Sequence, residues 1–422
     1  MKKKLYFSLF LLLTLQAFTQ VPEEALRLSW NSQAGTARNQ AIGGAMGSLG
    51  GDATAAIVNP AGLAFFKTSD FVLTPGWQML RGKNNFRGTT LGGPRNNAFS
   101  LGTSGWVFGG FGYQNRNSFA ITVTRVADFN QTLSYRGQND YSSFAEPLAD
   151  EFAATGLTID DALNSGMPLP AKMALYTYLV DTASFGGSTQ VIARSENTSL
   201  LNQEHLSETS GGITEITFAM AHELEKKFML GGSIGIPIVK LDRDTYFRES
   251  DASGDTNNDF DYLAYRERFT LRGAGVNFRL GAIYRPKEYL RFGLAVHSPD
   301  ILLLRESFRS GFAADLENLF APNSGYDSVS SSVFTGSETT GERYATFTPT
   351  RIILSGSYVF REVENINRQK GFITADIEYR NYKWMRFGSA DEETGPSKEY
   401  FQPFNDAIDA IYKGAFNVRV GG

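Results

Sequence analysis

The sequence predicts an all-β chain, a transmembrane antiparallel β-barrel, from three observations. It opens with an export leader and contains no later segment apolar enough for a membrane helix. Apolar and polar residues alternate with period two over most of its length. The connections between the alternating runs are sorted into short and long ones.

Lys2, Lys3 and Lys4 precede an apolar run, Leu5 to Leu15, that is too short to span a bilayer. Residues 1–19 therefore read as a signal peptide. Ala17 and Thr19 suit a signal-peptidase site and place the mature start near Gln20; a membrane anchor is the alternative that length disfavours. Beyond the leader no stretch of 18 or more apolar residues occurs, and mean hydropathy is −0.23, so only a closed barrel offers membrane residence. The 43 Gly, 33 Phe and 18 Tyr suit thin strands with aromatic girdles better than a compact α/β enzyme. Cysteine is absent, which removes disulfide frameworks and thiolate metal sites. The formal charge of −4 falls to −7 once the three leader lysines are lost, which argues against a nucleic-acid partner.

The alternation is clearest in three runs. Ala274, Val276, Phe278, Leu280, Ala282 and Tyr284 alternate with Gly275, Asn277, Arg279, Gly281 and Ile283. After a turn at Pro286 to Glu288, Leu290, Phe292, Leu294 and Val296 alternate with Arg291, Gly293, Ala295 and His297; later Ile373, Ala375, Ile377 and Tyr379 alternate with Thr374, Asp376, Glu378 and Arg380. Arg279, Arg291, His297, Asp376 and Glu378 are thus expected to face a lumen, with the apolar positions facing lipid. A soluble sandwich shows such alternation too, and loop lengths separate the two cases. Strands are expected near 70–80, 97–114, 118–135, 211–222, 228–249, 259–285, 289–310, 341–360, 369–387 and from 414 onward. The connections then alternate. Short ones fall at 115–117, 223–227, 286–288 and 361–368, and long ones at 81–96, 136–210, 250–258, 311–340 and 388–413, as in barrels with short periplasmic turns and long extracellular loops.

The insertion 136–210 is too long to be structureless, and Phe144 to Phe152 and Pro170 to Val180 carry helical patterning. Leu169, Met173, Tyr176 and Val180 form an apolar stripe that reads either as a capture surface for an apolar ligand or as a loop core sealing itself from water. Lys172 is the candidate cation for a ligand carboxylate, with a solvated lysine as the alternative. Phe312 to Phe320 and Phe404 to Tyr412 also look helical.

Between leader and first strand lies a segment rich in small residues, Arg38 to Gly47 and on through Gly50-Gly51-Asp52 to Asn59-Pro60-Ala61-Gly62-Leu63. It lacks the bulk for its own core, yet its glycines permit the tight bends and close packing of a plug inside a barrel; a poorly ordered leader is the alternative. Pro60 biases Asn59 toward extended backbone. With Leu290 to Pro299, this segment resembles the FadL/TodX outer-membrane transporters of long-chain fatty acids and aromatic hydrocarbons, the OmpP1-like proteins, in their Bacteroidetes branch. The resemblance implies a 14-stranded barrel with an N-terminal hatch at 20–68 that contains Asn59, Pro60, Ala61 and Gly62, followed by the barrel at 69–422. It implies passive uptake of a hydrophobic small molecule by a multi-pass protein of the Gram-negative outer membrane. No cofactor and no covalent chemistry are expected, and the expected partners of the monomer are the ligand and membrane lipid. Ligand would pass from loops to a pocket beside the hatch and leave sideways between strands. About ten strands are present, so the resemblance also implies a chain cut short near Gly421-Gly422.

Other chemistry fits less well. His205, His222 and His297 stand in no zinc spacing; His297 fits a lumen hydrogen bond better than a hydrolase. Asp251, Asp255 and Asp259 have calcium-loop character, but the run lacks an EF-hand's glycine and glutamate and reads as a solvated loop. A general diffusion porin is the second functional reading, and a barrel enzyme or adhesin the third.

Overall fold

The computed structural model describes residues 22–30, 34–317, 319, 326–360, 370–391 and 395–422; the signal segment 1–19 and the turn 361–368 lie outside them. Most of the described chain is one antiparallel meander. Its strands, in chain order, are β1 Asp70–Val72, β2 Pro75–Phe86, β3 Thr89–Leu101, β4 Ser104–Phe111, β5 Asn117–Asp128 and β6 Gln131–Asn139. A hairpin of β7 Val180–Phe185 and β8 Ser188–Ala193 follows, then the long strands β9 Leu201–Leu224, β10 Phe228–Asp251 and β11 Tyr262–Lys287. The wall continues through β12 Leu290–His297, β13 Ile301–Asp315, β14 Ser328–Ser330, β15 Arg343–Phe347, β16 Arg351–Phe360, β17 Gly371–Asn381, β18 Arg386–Ser389 and β19 Gly414–Gly421.

The hydrogen-bonded order β1-β4-β5-β9-β10-β11-β12-β16-β17-β19 comprises ten sequential wall positions. Several are single strands interrupted part-way: β12 stops at Ser298-Pro299-Asp300 before β13, and Thr348-Pro349-Thr350 separates β15 from β16. Proline cannot donate to the ladder, so the wall bends there.

Side chains sort cleanly across this wall. Phe278, Leu280, Phe292, Leu294, Ile373 and Ile377 are exposed on the outside, while Val276 and Leu290 are partly covered. Asn277, Arg279, Arg291, His297, Asp376 and Glu378 are buried on the inside. The outer apolar band has a defined height. Along β10 it runs from Phe228 through Leu230, Ile234 and Ile236 to Ile238, after which Lys240, Asp242 and Asp244 take over. At about 3.3 Å per residue that run is about 33 Å long, and a tilt of about 45° brings it to roughly 23 Å, close to the ~25 Å apolar band of outer-membrane barrels. Aromatic rings mark its short-turn edge, where Phe228 stacks on Tyr284 at 4.6 Å and Tyr289 meets Tyr358 at 5.4 Å. No helix of the described residues is long and apolar enough to cross a membrane.

Helices fill the interior and cap its long-loop end. α1 Pro22–Ser29 sits inside the wall and buries Ala25 and Leu28 with Phe269, Leu271, Leu302 and Tyr344, and with Phe401 and Ile408 of a helix at Lys398–Ile411. That helix occupies the region expected at Phe404 to Tyr412. In the insertion, helices at Ala145–Thr155, Ile159–Asn164 and Leu169–Tyr176 and the β7/β8 hairpin enclose their own core.

Four expectations are corrected. Residues 81–96 are no loop: β2 and β3 continue as a hairpin to a two-residue turn at Arg87 (φ 45°) and Gly88 (φ 84°), and its polar composition hid the strand pattern. The fourth wall strand starts at Leu201 rather than 211. The strand expected at 118–135 is split at Phe129-Asn130 and continues to Asn139. Phe312 lies in a strand reaching Asp315, because tertiary pairing with β11 overrides local helical patterning.

Candidate functional site in the lumen

The N-terminal segment is seated on the inner face of the wall. Thr36 caps a short helix at Ala37–Ala41, accepting from the Asn39 amide at 3.1 Å, and its hydroxyl donates to Asp52 at 2.7 Å. Asp52 also accepts from the Thr54 amide at 2.8 Å, which folds the glycine-rich stretch back on itself. Asn59 is extended (φ −143°, ψ 99°), as a residue before proline should be, and its carboxamide oxygen caps the 3₁₀ helix Pro60–Phe65 through the Ala61 amide at 3.2 Å. Its NH₂ donates to Gly47 O at 2.6 Å and to Ala282 O of the wall at 3.4 Å.

The wall meets this backbone with glycine. A Cβ on Gly281 would lie 1.9 Å from Asn59 Oδ1, one on Gly231 would lie 2.4 Å from the Ala61 amide, and one on Gly293 would lie 2.4 Å from Gly47 O. Around them Ala53, Ala55, Ala56, Ala61 and Ala64 pack on Val107, Ala120, Ala219 and Ala221, small residues against small residues. Polar wall residues complete the seat. Asp376 accepts from the amides of Met46 and Gly47, each at 3.0 Å; Arg291 donates to Leu49 O at 2.5 Å and stacks 4.5 Å from the Phe65 ring. Ser48 shares hydrogen bonds with Ser355 (2.8 Å) and Ser357 (2.5 Å), and His297 Nε2 bonds Val58 O at 2.8 Å.

Beside this seat lies a charged layer. Arg279 donates to both oxygens of Glu215 at 2.6 and 2.7 Å, and Thr217 (2.7 Å) and Asn277 (3.0 Å) donate to the same carboxylate. Glu378 pairs with Arg380 and, at 2.9 Å, with Arg419; Arg380 also donates to Ser29 O of α1 at 3.0 Å. Together they border a cavity of about 720 Å³ whose apolar lining includes Leu26, Trp30, Ile57, Val58 and Ile353. Arg351 lines it too, and its side chain makes no hydrogen bond or ion pair to a described residue. A second cavity, about 370 Å³, shares Leu26 and Trp30 and extends to Leu80 and the strand break at Phe129-Asn130. There the wall loses its ladder: β3 pairs only β2, and β6 pairs only β9. Side chains bridge instead, Thr132 to Asn96 at 3.0 Å and Asn84 to Ser134 O at 2.8 Å.

The chain is similar to several solved structures, including two from Pseudomonas. The toluene transporter TodX of Pseudomonas putida aligns with a TM-score of 0.40 and 12% identity, over 86% of this chain and 75% of that one. A FadL homologue of Pseudomonas aeruginosa aligns with a TM-score of 0.24 and 9% identity, over 93% of this chain and 96% of that one. No family model and no curated protein matches the sequence.

The stripe of the insertion is divided by the structure. Met173 and Val180 are fully buried, Leu169 and Tyr176 partly so, and the helix ends at Tyr176, so that Val180 starts β7 instead of continuing the helical face. The stripe is therefore mainly loop core. Lys172 is buried and donates to Ser165 O, and burial holds its ammonium below the ordinary lysine range. In the acidic loop Asp251 accepts from Asn258 at 2.6 Å, Asp255 from the Asn257 amide at 3.0 Å, and Asp259 meets Arg194 at 3.3 Å. Among the described residues no three His, Cys, Asp or Glu side chains are grouped to hold a metal.

Sequence reading missed Glu215, Arg351, Leu26 and Trp30. Glu215 stands two before Thr217 in an alternating strand, a readable signal; α1 offered none, since its partners are remote in sequence.

One buried acid of the loop region gives a pH prediction. Glu249 accepts from Gln203 (2.6 Å), the Phe144 amide (3.1 Å) and Ser143, yet burial dominates and holds its carboxyl above the ordinary carboxylate range. The folded loop thus binds this proton more tightly than the unfolded chain. Its stabilisation is present below the unfolded pKa and is lost as pH rises through the folded one. Between about pH 4 and about pH 8, hydrogen exchange over residues 140–200 should accelerate more in the parent than in Glu249→Gln. Identical pH profiles would remove Glu249 as the cause.

Proposed function

We propose that this chain spans the outer membrane as a plugged β-barrel and admits hydrophobic small molecules passively, with no covalent step. One observation carries the reading. The polar lumen is occupied by a small-residue plug held by Asp376, Arg291 and Asn59, while a cavity beside it, part apolar through Leu26, Trp30, Ile57, Val58 and Ile353 and part bordered by the charged layer, adjoins a second that reaches the strand break at Phe129-Asn130. A dry route suits such a cargo: at ~0.8 kcal/mol per CH₂, a chain of about a dozen carbons forfeits roughly 10 kcal/mol of burial on entering water. Long-chain fatty acids and aromatic hydrocarbons are the ligand classes that fit. For a fatty acid, Arg351 is a better placed carboxylate partner than Lys172, whose ammonium is already engaged. Exit is sideways, past Leu26 and Trp30, where β3 and β6 lack a shared ladder.

The test is paired flux into vesicles carrying the full chain. A radiolabelled long-chain fatty acid or toluene should enter faster than into empty vesicles, and a sugar of similar size should not. Rapid sugar entry would favour the diffusion porin instead.

A further inference from the structure

Just above the apolar band, four cations stand in one cross-strand row. Lys240 of β10 is directly opposite Arg272 of β11, Arg272 opposite Arg305 of β13, and Arg305 opposite Arg343 of β15. All four face outward. The Lys240 and Arg272 side chains are 63% and 44% exposed, Arg305 and Arg343 are exposed, and the preceding or following residues Val239, Leu271, Leu304 and Tyr344 are buried inside. The row one step down the same face is Ile238, Ala274, Leu303 and Ala345, the upper rim of the apolar band. Two steps up, Arg268 is opposite Arg309, and Arg266, Arg268 and Arg309 line a pocket of about 370 Å³ with Ser310, Ser330 and Ser332.

Among the described residues, acids do not balance this face. Asp242 takes Arg272 at 2.5 Å and stands 4.0 Å from Lys240, and Asp244 takes Arg268 at 2.7 Å and Arg266 at 3.3 Å. Glu208 lies opposite Asp244 on the far side of β10, and Glu338 lies on the pocket. The side chains of Arg305, Arg309 and Arg343 have no hydrogen bond or ion pair to a described residue. Like charges directly opposite on adjacent strands repel, and no described side chain pairs with Arg305 or Arg343 to relieve them.

We propose that this row binds the phosphate groups of a phosphorylated glycolipid of the lipid A kind, in the leaflet on the long-loop side, with its acyl chains lying on Ile238, Leu303 and Leu280. The assignment rests on the membrane-spanning reading above. The depth selects a lipid: the cations begin where the apolar band ends, at the level of headgroups. Guanidinium forks select phosphate, which they bind bidentately, and several cations at strand spacing suit a headgroup with more than one phosphate.

The full chain is inserted into phosphatidylcholine nanodiscs doped with diphosphorylated lipid A, and retained lipid is read by native mass spectrometry. The parent should hold lipid A enriched about tenfold or more over its bulk fraction, and Arg305→Gln/Arg343→Gln should fall to near the bulk value. Arg305→Lys/Arg343→Lys should keep part of the enrichment, and dephosphorylated lipid A should show none. Equal retention by the parent and the Gln variant, or equal enrichment of the dephosphorylated lipid, overturns the proposal. Displacement by millimolar inorganic phosphate also overturns it, in favour of a soluble anion. Insertion is scored separately by heat-modifiable mobility, and a parent that does not insert overturns the membrane-spanning reading itself.

Discussion

Deleting residues 36–63 turns the inserted protein into an open channel, with single-channel conductance rising roughly tenfold or more as water fills the emptied lumen. The wall survives because its ladders run between neighbouring strands and do not pass through the N-terminal segment. The groups that lose bonds to the segment, Asp376, Arg291, His297 and Ser355, face the new aqueous space and are hydrated there, so the loss does not become a burial penalty. A single substitution should give a milder form of the same result. Gly281→Leu puts a side chain where Asn59 Oδ1 now sits, 1.9 Å from the position of a Cβ, and overpacking of this kind costs about 1–3 kcal/mol, enough to lift the segment locally. Unchanged conductance in the deletion variant, with insertion verified, would mean that the segment does not block the lumen.

The second large effect is on stability. Glu215 and Arg279 are each about 3% exposed and satisfy one another bidentately, with Thr217 and Asn277 completing the carboxylate's shell. Removing one partner strands a charge, so Arg279→Ala or Glu215→Ala should each destabilise the protein by about 3–5 kcal/mol in denaturant titrations from zwitterionic vesicles. Glu215→Met/Arg279→Met should cost far less than the sum of the two, because an apolar pair of similar volume leaves no orphaned charge. Additive losses would show instead that each residue is held mainly by third parties such as Asn277 or Asp300.

The alternating strands were legible in the sequence because sidedness is a local property: residues i and i+2 share a face whatever the strand pairs with. That places Phe278 and Leu280 outside and Arg279 inside before any partner is known. Short turns and the tight bends of the N-terminal segment were legible for the same reason, since Gly-rich composition and the Asn59-Pro60 geometry act over a few residues. What the sequence alone left undecided was every contact between distant parts. Asp376 holds the amide of Gly47, 329 positions away; α1 packs against β11, β13 and the helix at Lys398–Ile411; Met173 lies in a loop core and not on its surface. A helical stripe shows that one face is covered without showing what covers it, and a polar strand face shows that it needs partners without naming them. Those choices follow from packing and hydrogen-bond satisfaction across the whole chain, which only the tertiary structure brings together.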